Sequence, residues 1–544
     1  MIGRRQFTRQ IARQLHTSAR NSANQFSIPR WAYLACGLVI LGAGVSFWSV
    51  NSSIVRSDAT FASVFPVSEV MKHNTMDDCW IAIDGHVYDV SKFLAQHPGG
   101  AARILRFAGS DASSAFRSIH TELVLNRMKE HVTYLGPLGE GEFLNKAKKE
   151  QKLDVALGDK PSLAHIFNLL DFEFVAKKVL PQTTFTYYAT GSSDEFSLRE
   201  NRYAYLRVFF KPKALQNVQQ VSTSTKMLGI DAELPLYISG FAGSCLAHPD
   251  AEWNLQRAAY KEKIVQMVPK QNSIDFDEFF DGVPADQEQW AQLHFYTDEE
   301  LENMDEYINR FESRKNIKGI FFNVDVTALG NREKDSKVRA LDEDLGEALN
   351  EMANNSGAEY CKTFTWDHVR KLVQKTNLPV GLKGIQRGED VVLAAQNGIK
   401  AVILSNHGGR QLDFSRPPLE VLAEAKQMLK ENGLEKDIEI YVDGGIRRGS
   451  DIIKAICLGA KGVGMGRPFL YAMAGYGEAG VVRAIQILKM EMINNMRLLG
   501  ARNIAELDES FIDASSLKLH NPNVNDRLYD ENYVSLPSPP WGKA

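Results

Sequence analysis

Cysteine is scarce in this chain: there are five in 544 residues, Cys36, Cys79, Cys245, Cys361 and Cys457, with no CxxC pair and no zinc-type spacing. Their scatter excludes a disulfide framework and a cysteine-held metal cluster and leaves buried thiols. The absence of CxxCH excludes the usual covalent attachment of haem. Excess basic charge is missing as well, since the formal net charge is -4, and nucleic acid is therefore not an expected partner. Acidic residues are absent altogether from Met1 to Ser57.

That acid-free segment carries Arg4, Arg5, Arg9, Arg13 and Arg20 among serines and glutamines, with Phe7, Ile11 and Leu15 at helical spacing. An amphipathic, arginine-rich start without acids has the composition of a mitochondrial transit peptide. Trp31 to Val50, WAYLACGLVILGAGVSFWSV, then gives about 20 uncharged residues that as a helix extend roughly 30 Å, enough to cross a bilayer. A matrix-type signal followed by a hydrophobic stop predicts arrest at the inner membrane, with the remainder in the intermembrane space. The residues leave open whether this segment is cleaved or kept as an inner-membrane anchor.

A chain of this length with 44% hydrophobic residues exceeds one ordinary domain and predicts two or three units. In the first, residues 61 to 137, WIAIDGHVYD alternates apolar and polar side chains around Asp84-Gly85, a hairpin signal. SKFLAQHPGG closes a short helix with His97 at a Pro-Gly-Gly turn, and His120 follows FAGSDASSAFRSIH, which reads as one helical stretch. Two neutral imidazoles on opposing helices suit a six-coordinate haem iron, a closed site fit for electron transfer. HPGG alone is also compatible with a plain turn. The order hairpin, FLxxHPGG, AGxDAxxxF and His resembles the cytochrome b5 family. That resemblance implies a small α+β domain holding haem b non-covalently, with His97 and His120 as axial ligands. Residues 138 to 161, with EGEFLNKAKKEQK, read as a charged linker, either a hinge for a swinging haem carrier or a solvated spacer.

From residue 162 to 513 the pattern predicts eight strands. They are Pro235 to Ser239, Ile264 to Val268, Trp290 to Phe295, Gly319 to Asp325, Leu378 to Lys383, Ala401 to Asn406, Ile438 to Asp443 and Gly462 to Met465. Most are separated by amphipathic helical patterns such as Glu389 to Asn397 and Leu419 to Lys430. Eight strand and helix units predict an α/β fold of the (β/α)8 TIM-barrel type, in which strand ends passing into loops form the catalytic face. At such an end AVILSNHGGRQLD delivers His407 and Arg410, a base and a cation; a histidine there is also compatible with a structural role. Strand seven ends in Asp443, Gly444, Gly445 and Arg447, and strand eight in Gly464, Gly466 and Arg467. Paired glycine-rich turns with matched arginines on these two strands suit a phosphate.

SNHGGRQLD resembles the signature of the FMN-dependent 2-hydroxy-acid oxidoreductases. The resemblance implies that His407 is the active-site base, oriented by Asp325, and that Arg410 and Tyr187 bind the substrate carboxylate with Arg332 adding positive charge. It implies FMN as cofactor, its phosphate held by Arg447, Gly466 and Arg467 beside Asp443, Gly444 and Gly445, with Lys383 and Gln292 at the ring. Gln292 and Lys383 could instead face solvent, Asp325 could cap a helix and Arg332 could form a surface ion pair. Four site positions depart from the family. His294 stands in place of a tyrosine that hydrogen-bonds the substrate hydroxyl, Phe241 in place of a small or hydroxylated residue, Pro269 in place of a serine and Asn323 in place of a threonine. An imidazole still donates to oxygen, so His294 is expected to preserve substrate binding with altered pH dependence.

A cytochrome b5-like unit joined to an FMN barrel resembles the flavocytochrome b2 group. This implies an L-lactate-type dehydrogenase that passes electrons from FMN to haem and then to cytochrome c, as a homotetramer. Two alternatives stay open: a dehydrogenase of another 2-hydroxy acid, and a catalytically weak paralogue that relays electrons. The tail, residues 514 to 544, is rich in Asn and Pro, lacks helical periodicity and is expected to wrap a neighbouring subunit.

Overall fold

The computed structural model describes residues 64–97, 101–117, 125, 128, 131–141, 160–340 and 361–520. The expected transit and hydrophobic segments, His120, most of the expected linker and the tail beyond His520 lie outside the described residues. No helix among the described residues is long and apolar enough to cross a membrane.

The amino-terminal unit is built on a sheet of four strands in the order Ser110–Asp111, Trp80–Ile83, His86–Asp89, Thr133–Pro137. Asp84 and Gly85 both take positive φ, 49° and 78°, and close the hairpin so that Ile83 pairs with His86. Inward residues Cys79, Ile81, Ile83, Val90, Phe93 and Leu94 form its core. One expectation is corrected here. FAGSDASSAF is not one helix: Ser110–Asp111 pairs with Ile81 and Ala82, and the helix starts at Ser113, whose N–H Asp111 accepts at 2.8 Å. An aspartate two residues before a helix competes for the backbone and ends the strand there.

The second unit is the expected barrel of eight parallel strands. They are β1 (Leu236–Ile238), β2 (Val265–Pro269), β3 (Gln289–Leu293), β4 (Ile317–Asn323), β5 (Val380–Ile385), β6 (Ala401–Leu404), β7 (Glu439–Asp443) and β8 (Gly462–Met465). Each pairs with the next and β8 closes on β1, Met465 opposite Ile238. Alternation sorts the side chains. Leu236, Ile238, Leu293, Phe322, Leu382, Leu404 and Val442 face the surrounding helices, while Tyr237, Met267, Trp290, Phe321, Ile403 and Tyr441 fill the interior. Trp290 lies about equally close to Tyr237, Phe321 and Tyr441, with centroids 5.1, 5.0 and 5.1 Å away. Gly381 and Gly464 leave the room that the rings of Phe321 and Tyr237 occupy. Burying each such ring stabilises the fold by about 1.5–3 kcal/mol. A hairpin, Thr225–Met227 with Ile230–Ala232, plugs the amino-terminal end of the barrel.

Three helices lead into the barrel, Leu169–Val179, Gln182–Ala189 and Phe196–Leu206. The last is capped from the β6 loop, where Asp413 accepts the N–H of Ser197 at 2.8 Å. The described part of the tail lies on its own barrel. Arg207 bonds Glu200 and Glu420 at 2.8 and 3.1 Å, and His520 reaches the same two carboxylates. These three groups have the spacing of metal ligands, but Arg207 already supplies their positive partner.

Candidate active site

Two residues beyond the inward apolar positions, the same alternation brings polar side chains to the carboxyl-terminal mouth of the barrel. Ser239, Gln292, Asn323, Lys383, Ser405 and Asp443 are all buried there. Two residues further along come His294, Asp325 and His407. His407 has a left-handed backbone, φ 57°, and its N–H donates to Ser405 Oγ at 3.0 Å. A non-glycine residue so placed stores about 1–3 kcal/mol and marks a position the surroundings over-determine. Gly408 and Gly409, also at positive φ, complete the turn, and a Cβ at Gly409 would strike the backbone of Leu198.

His407 Nδ1 lies 3.2 Å from both oxygens of Asp325, whose side chain is 0% exposed. Burial acts to raise the Asp325 carboxyl, but the His407 ring and the Lys383 ammonium outweigh it and hold the group below the usual carboxylate range. Asp325 is therefore an anion that fixes Nδ1 as the donor and leaves Nε2 bare, a base. Burial pulls His407 below the ordinary imidazole value, and Lys383 and Arg332 add to this against the pull of Asp325. The neutral ring is the active form of a base, so kcat/KM is expected to be level around neutral pH and to fall as pH drops through a value below 6.5. A profile with no fall on the acid side would remove His407 from this role. His294 is pushed down to about 4, chiefly by burial, and is neutral over the same range.

Facing this pair is a surplus of positive charge. Arg410 Nη1 donates to the carbonyls of Tyr187, Tyr188 and Thr190 at 2.6, 3.3 and 3.3 Å, closing the carboxyl end of helix Gln182–Ala189. Its guanidinium also lies 5.1 Å from the Tyr187 ring centroid. Burial, then repulsion from Arg332, lowers Arg410 to about 9. Among the described residues Arg332 Nε is buried without a hydrogen-bond partner, and neither guanidinium bonds a carboxylate. Two mutually repelling guanidiniums so placed make a ready site for a carboxylate.

Gly444 and Gly445 turn the chain after β7 at φ 90° and 79°, and a Cβ on Gly445 would strike the carbonyl of Asn201. The N–H groups of Arg447 and Arg448 are held by Asp451 at 2.9 and 3.0 Å at the start of helix Gly449–Cys457, and Arg447 Nε lies 3.7 Å from Glu173. At Gly466 the nearest atom to an added Cβ is Phe241 Cδ1 at 3.9 Å, so the backbone is open on that side. Arg467, expected on the phosphate, donates to the carbonyls of Tyr188, Gly408 and Thr190 at 2.8, 2.9 and 2.9 Å, tying the lead-in helix to the His407 turn and leaving two of its five N–H groups. At the same mouth Gln292 Oε1 and Asn323 Oδ1 are buried with no hydrogen-bond partner among the described residues. Each such atom costs about 1–3 kcal/mol, so the two together mark the place of a polar ligand. A flat ring edged with N–H and C=O groups and ending in a phosphate, as in FMN, fits this set of atoms and glycines.

In the amino-terminal unit His97 follows the 3-10 helix Ser91–Gln96 in extended backbone, its ring edge-on to Phe93 at 5.6 Å. Its expected partner, His120, lies outside the described residues.

Three positioning groups escaped the sequence reading. Asn201 and Asn406 exchange amide hydrogen bonds, both 2.8 Å, and Asn406 also accepts Gly409 N–H. Gln411 donates to the carbonyls of Asp325 and Ala328 at 2.9 and 2.7 Å, joining the loop of Asp325 to that of His407. Ser405 Oγ accepts from both Lys383 Nζ and His407 N–H. Only Ser405 had a signal, the alternation Ile403, Ser405, His407.

A family model for FMN-dependent dehydrogenases matches residues 176–514, and one for the cytochrome b5-like haem/steroid-binding domain matches residues 66–139. The L-lactate dehydrogenase (cytochrome) of Wickerhamomyces anomalus is 42% identical over 480 residues, covering 86% of this chain and 83% of its own length. The one from Saccharomyces cerevisiae is 41% identical over 491 residues, 86% of this chain and 82% of its own. Among solved structures, the flavin-binding domain of baker's yeast flavocytochrome b2 superposes with a TM-score of 0.62 at 42% identity, over 71% of this chain and 96% of that one. A pair matched along its length, an FMN barrel and a haem module, identifies the chain as a member of the FMN-dependent dehydrogenase family, in the branch that carries a cytochrome b5-like domain, with FMN and haem as its cofactors.

Proposed function

We propose that this protein oxidises L-lactate to pyruvate and delivers the electrons to cytochrome c. The observation that carries the reading is the His407–Asp325 pair beside the guanidiniums of Arg410 and Arg332, which bond no carboxylate among the described residues. The substrate carboxylate docks on Arg410, with Tyr187 beside it, and Arg332 adds charge. His407 Nε2 takes a proton from the substrate while Asp325 stabilises the imidazolium that forms. FMN supplies the two-electron acceptor and haem the one-electron outlet. Arg447, Gly444, Gly445, Gly466 and Arg467 would hold the FMN phosphate, and Gln292, Asn323 and Lys383 would meet the rest of the cofactor. His97 and His120 hold the haem iron. The names of the yeast relatives support lactate as substrate and a cytochrome as acceptor.

The domain scheme follows: a presequence over residues 1–57 with a sorting or anchor segment at 31–50, a haem domain at 61–137, a hinge at 138–161, the barrel at 162–513 and a tail. The presequence directs the enzyme to the mitochondrial intermembrane space, and the assembly is a homotetramer. An anaerobic spectrum after adding L-lactate tests the activity. The flavin band near 450 nm, roughly the usual position for bound FMN, is expected to bleach and the haem bands to follow. An unchanged flavin band would sink the proposal.

A further inference from the structure

Asp443 ends β7 directly before Gly444 and Gly445, so its place in the chain puts it with the anion cradle. Its charge is wrong for that work, because a carboxylate repels a phosphate dianion. The structure turns it elsewhere. Asp443 Oδ2 lies 3.4 Å from Nζ of Lys383, and the two side chains are 10% and 5% exposed. Lys383, on β5, also donates to Ser405 Oγ, just beyond β6, at 3.3 Å. Asp325, beyond the end of β4, and His407, beyond β6, also face this corner and are bonded to each other, while the buried hydroxyls of Tyr237 and Tyr205 face Asp443 and burial keeps them protonated. Asn323 of β4 stands opposite Lys383 in register and is uncharged.

A buried ammonium is stable only while an anion balances it, and without one it sheds its proton. Burial drives Lys383 toward the neutral amine; Asp443 first, and Asp325 after it, reverse this and hold it above the ordinary lysine value. Asp325 is shared with His407, so Asp443 is the only carboxylate among the described residues that Lys383 has to itself.

We propose that Asp443 is a positioning residue that keeps Lys383 protonated at the barrel mouth, so that a fixed positive charge faces the bound flavin. The proposal rests on the FMN reading of the site and is independent of which hydroxy acid is oxidised. A positive charge beside the ring favours electron-rich flavin, and sulfite addition to oxidised FMN reports that preference without turnover.

The experiment compares sulfite dissociation constants of the wild-type holoenzyme and Asp443→Asn from about pH 6 to about pH 9, a range in which an uncompensated buried lysine titrates. The ratio of variant to wild type is expected to climb about tenfold or more with rising pH, as Lys383 loses its proton in the variant alone. Asp443→Glu, which keeps the charge, is expected to give a flat ratio, and Lys383→Met placed in Asp443→Asn is expected to abolish the climb. A flat ratio for Asp443→Asn, or a climb that survives Lys383→Met, overturns the proposal. Asp443→Ser serves as a second charge-removing variant. Loss of FMN from both Asp443→Asn and Asp443→Ser would assign Asp443 to gripping the flavin and overturn it too. A wild-type protein that binds no FMN sinks the proposed function instead.

Discussion

Replacing His407 by Gln is expected to slow lactate-dependent bleaching of FMN by about 10²- to 10⁴-fold, the usual contribution of a positioned general base. Glutamine keeps the length and a donor for Asp325 but cannot carry a proton, so the substitution separates base chemistry from the shape of the turn. The loss should appear in the reductive half-reaction, measured by stopped flow, with FMN content unchanged. Asp325 lies at 3.2 Å with a side chain closed to solvent, so its charge has no water to fall back on when the imidazolium is gone. Near-normal bleaching in His407→Gln would end the assignment of the base.

Arg410→Lys is expected to lower kcat/KM by about 10²- to 10³-fold, mostly through KM, as for loss of a buried, hydrogen-bonded charge partner. The guanidinium has two tasks. Through Nη1 it holds the carbonyls of Tyr187, Tyr188 and Thr190, and its remaining donors are free to meet the substrate carboxylate. An ammonium is a single point charge and cannot span both. The repulsion from Arg332 sharpens the effect, since binding an anion relieves it. Initial rates over a range of lactate concentrations decide the matter: a variant with unchanged KM would mean that the carboxylate docks elsewhere.

These two substitutions act on one device. The helix Gln182–Ala189, the β4 loop and the β6 loop come from distant parts of the chain and are bolted together by Arg410, Arg467 and Gln411. Ser193 N–H adds a bond to the Asn331 carbonyl, next to Arg332, and Ser192 N–H one to Gly409. The result holds Tyr187, Arg332, His407 and Arg410 in a fixed relation before any substrate arrives, as preorganised catalysis requires.

Much of this was legible in the letters. All eight strands were, because an apolar run bounded by turn residues is a local pattern, and so was the hairpin at Asp84-Gly85, because two positive-φ residues favour such a pair. His407, Asp325 and Lys383 were legible as strand-end residues because the alternation that sends Ile403, Phe321 and Gly381 inward continues through them. Sequence by itself therefore determined which elements form and which side chains point into the barrel. Tertiary structure alone decided which side chain meets which. Asn201 finds Asn406 across 205 residues, Arg467 lies on three backbone carbonyls and Asp443 on Lys383, because closing a barrel sets far-separated strand ends side by side in a register that no local pattern encodes.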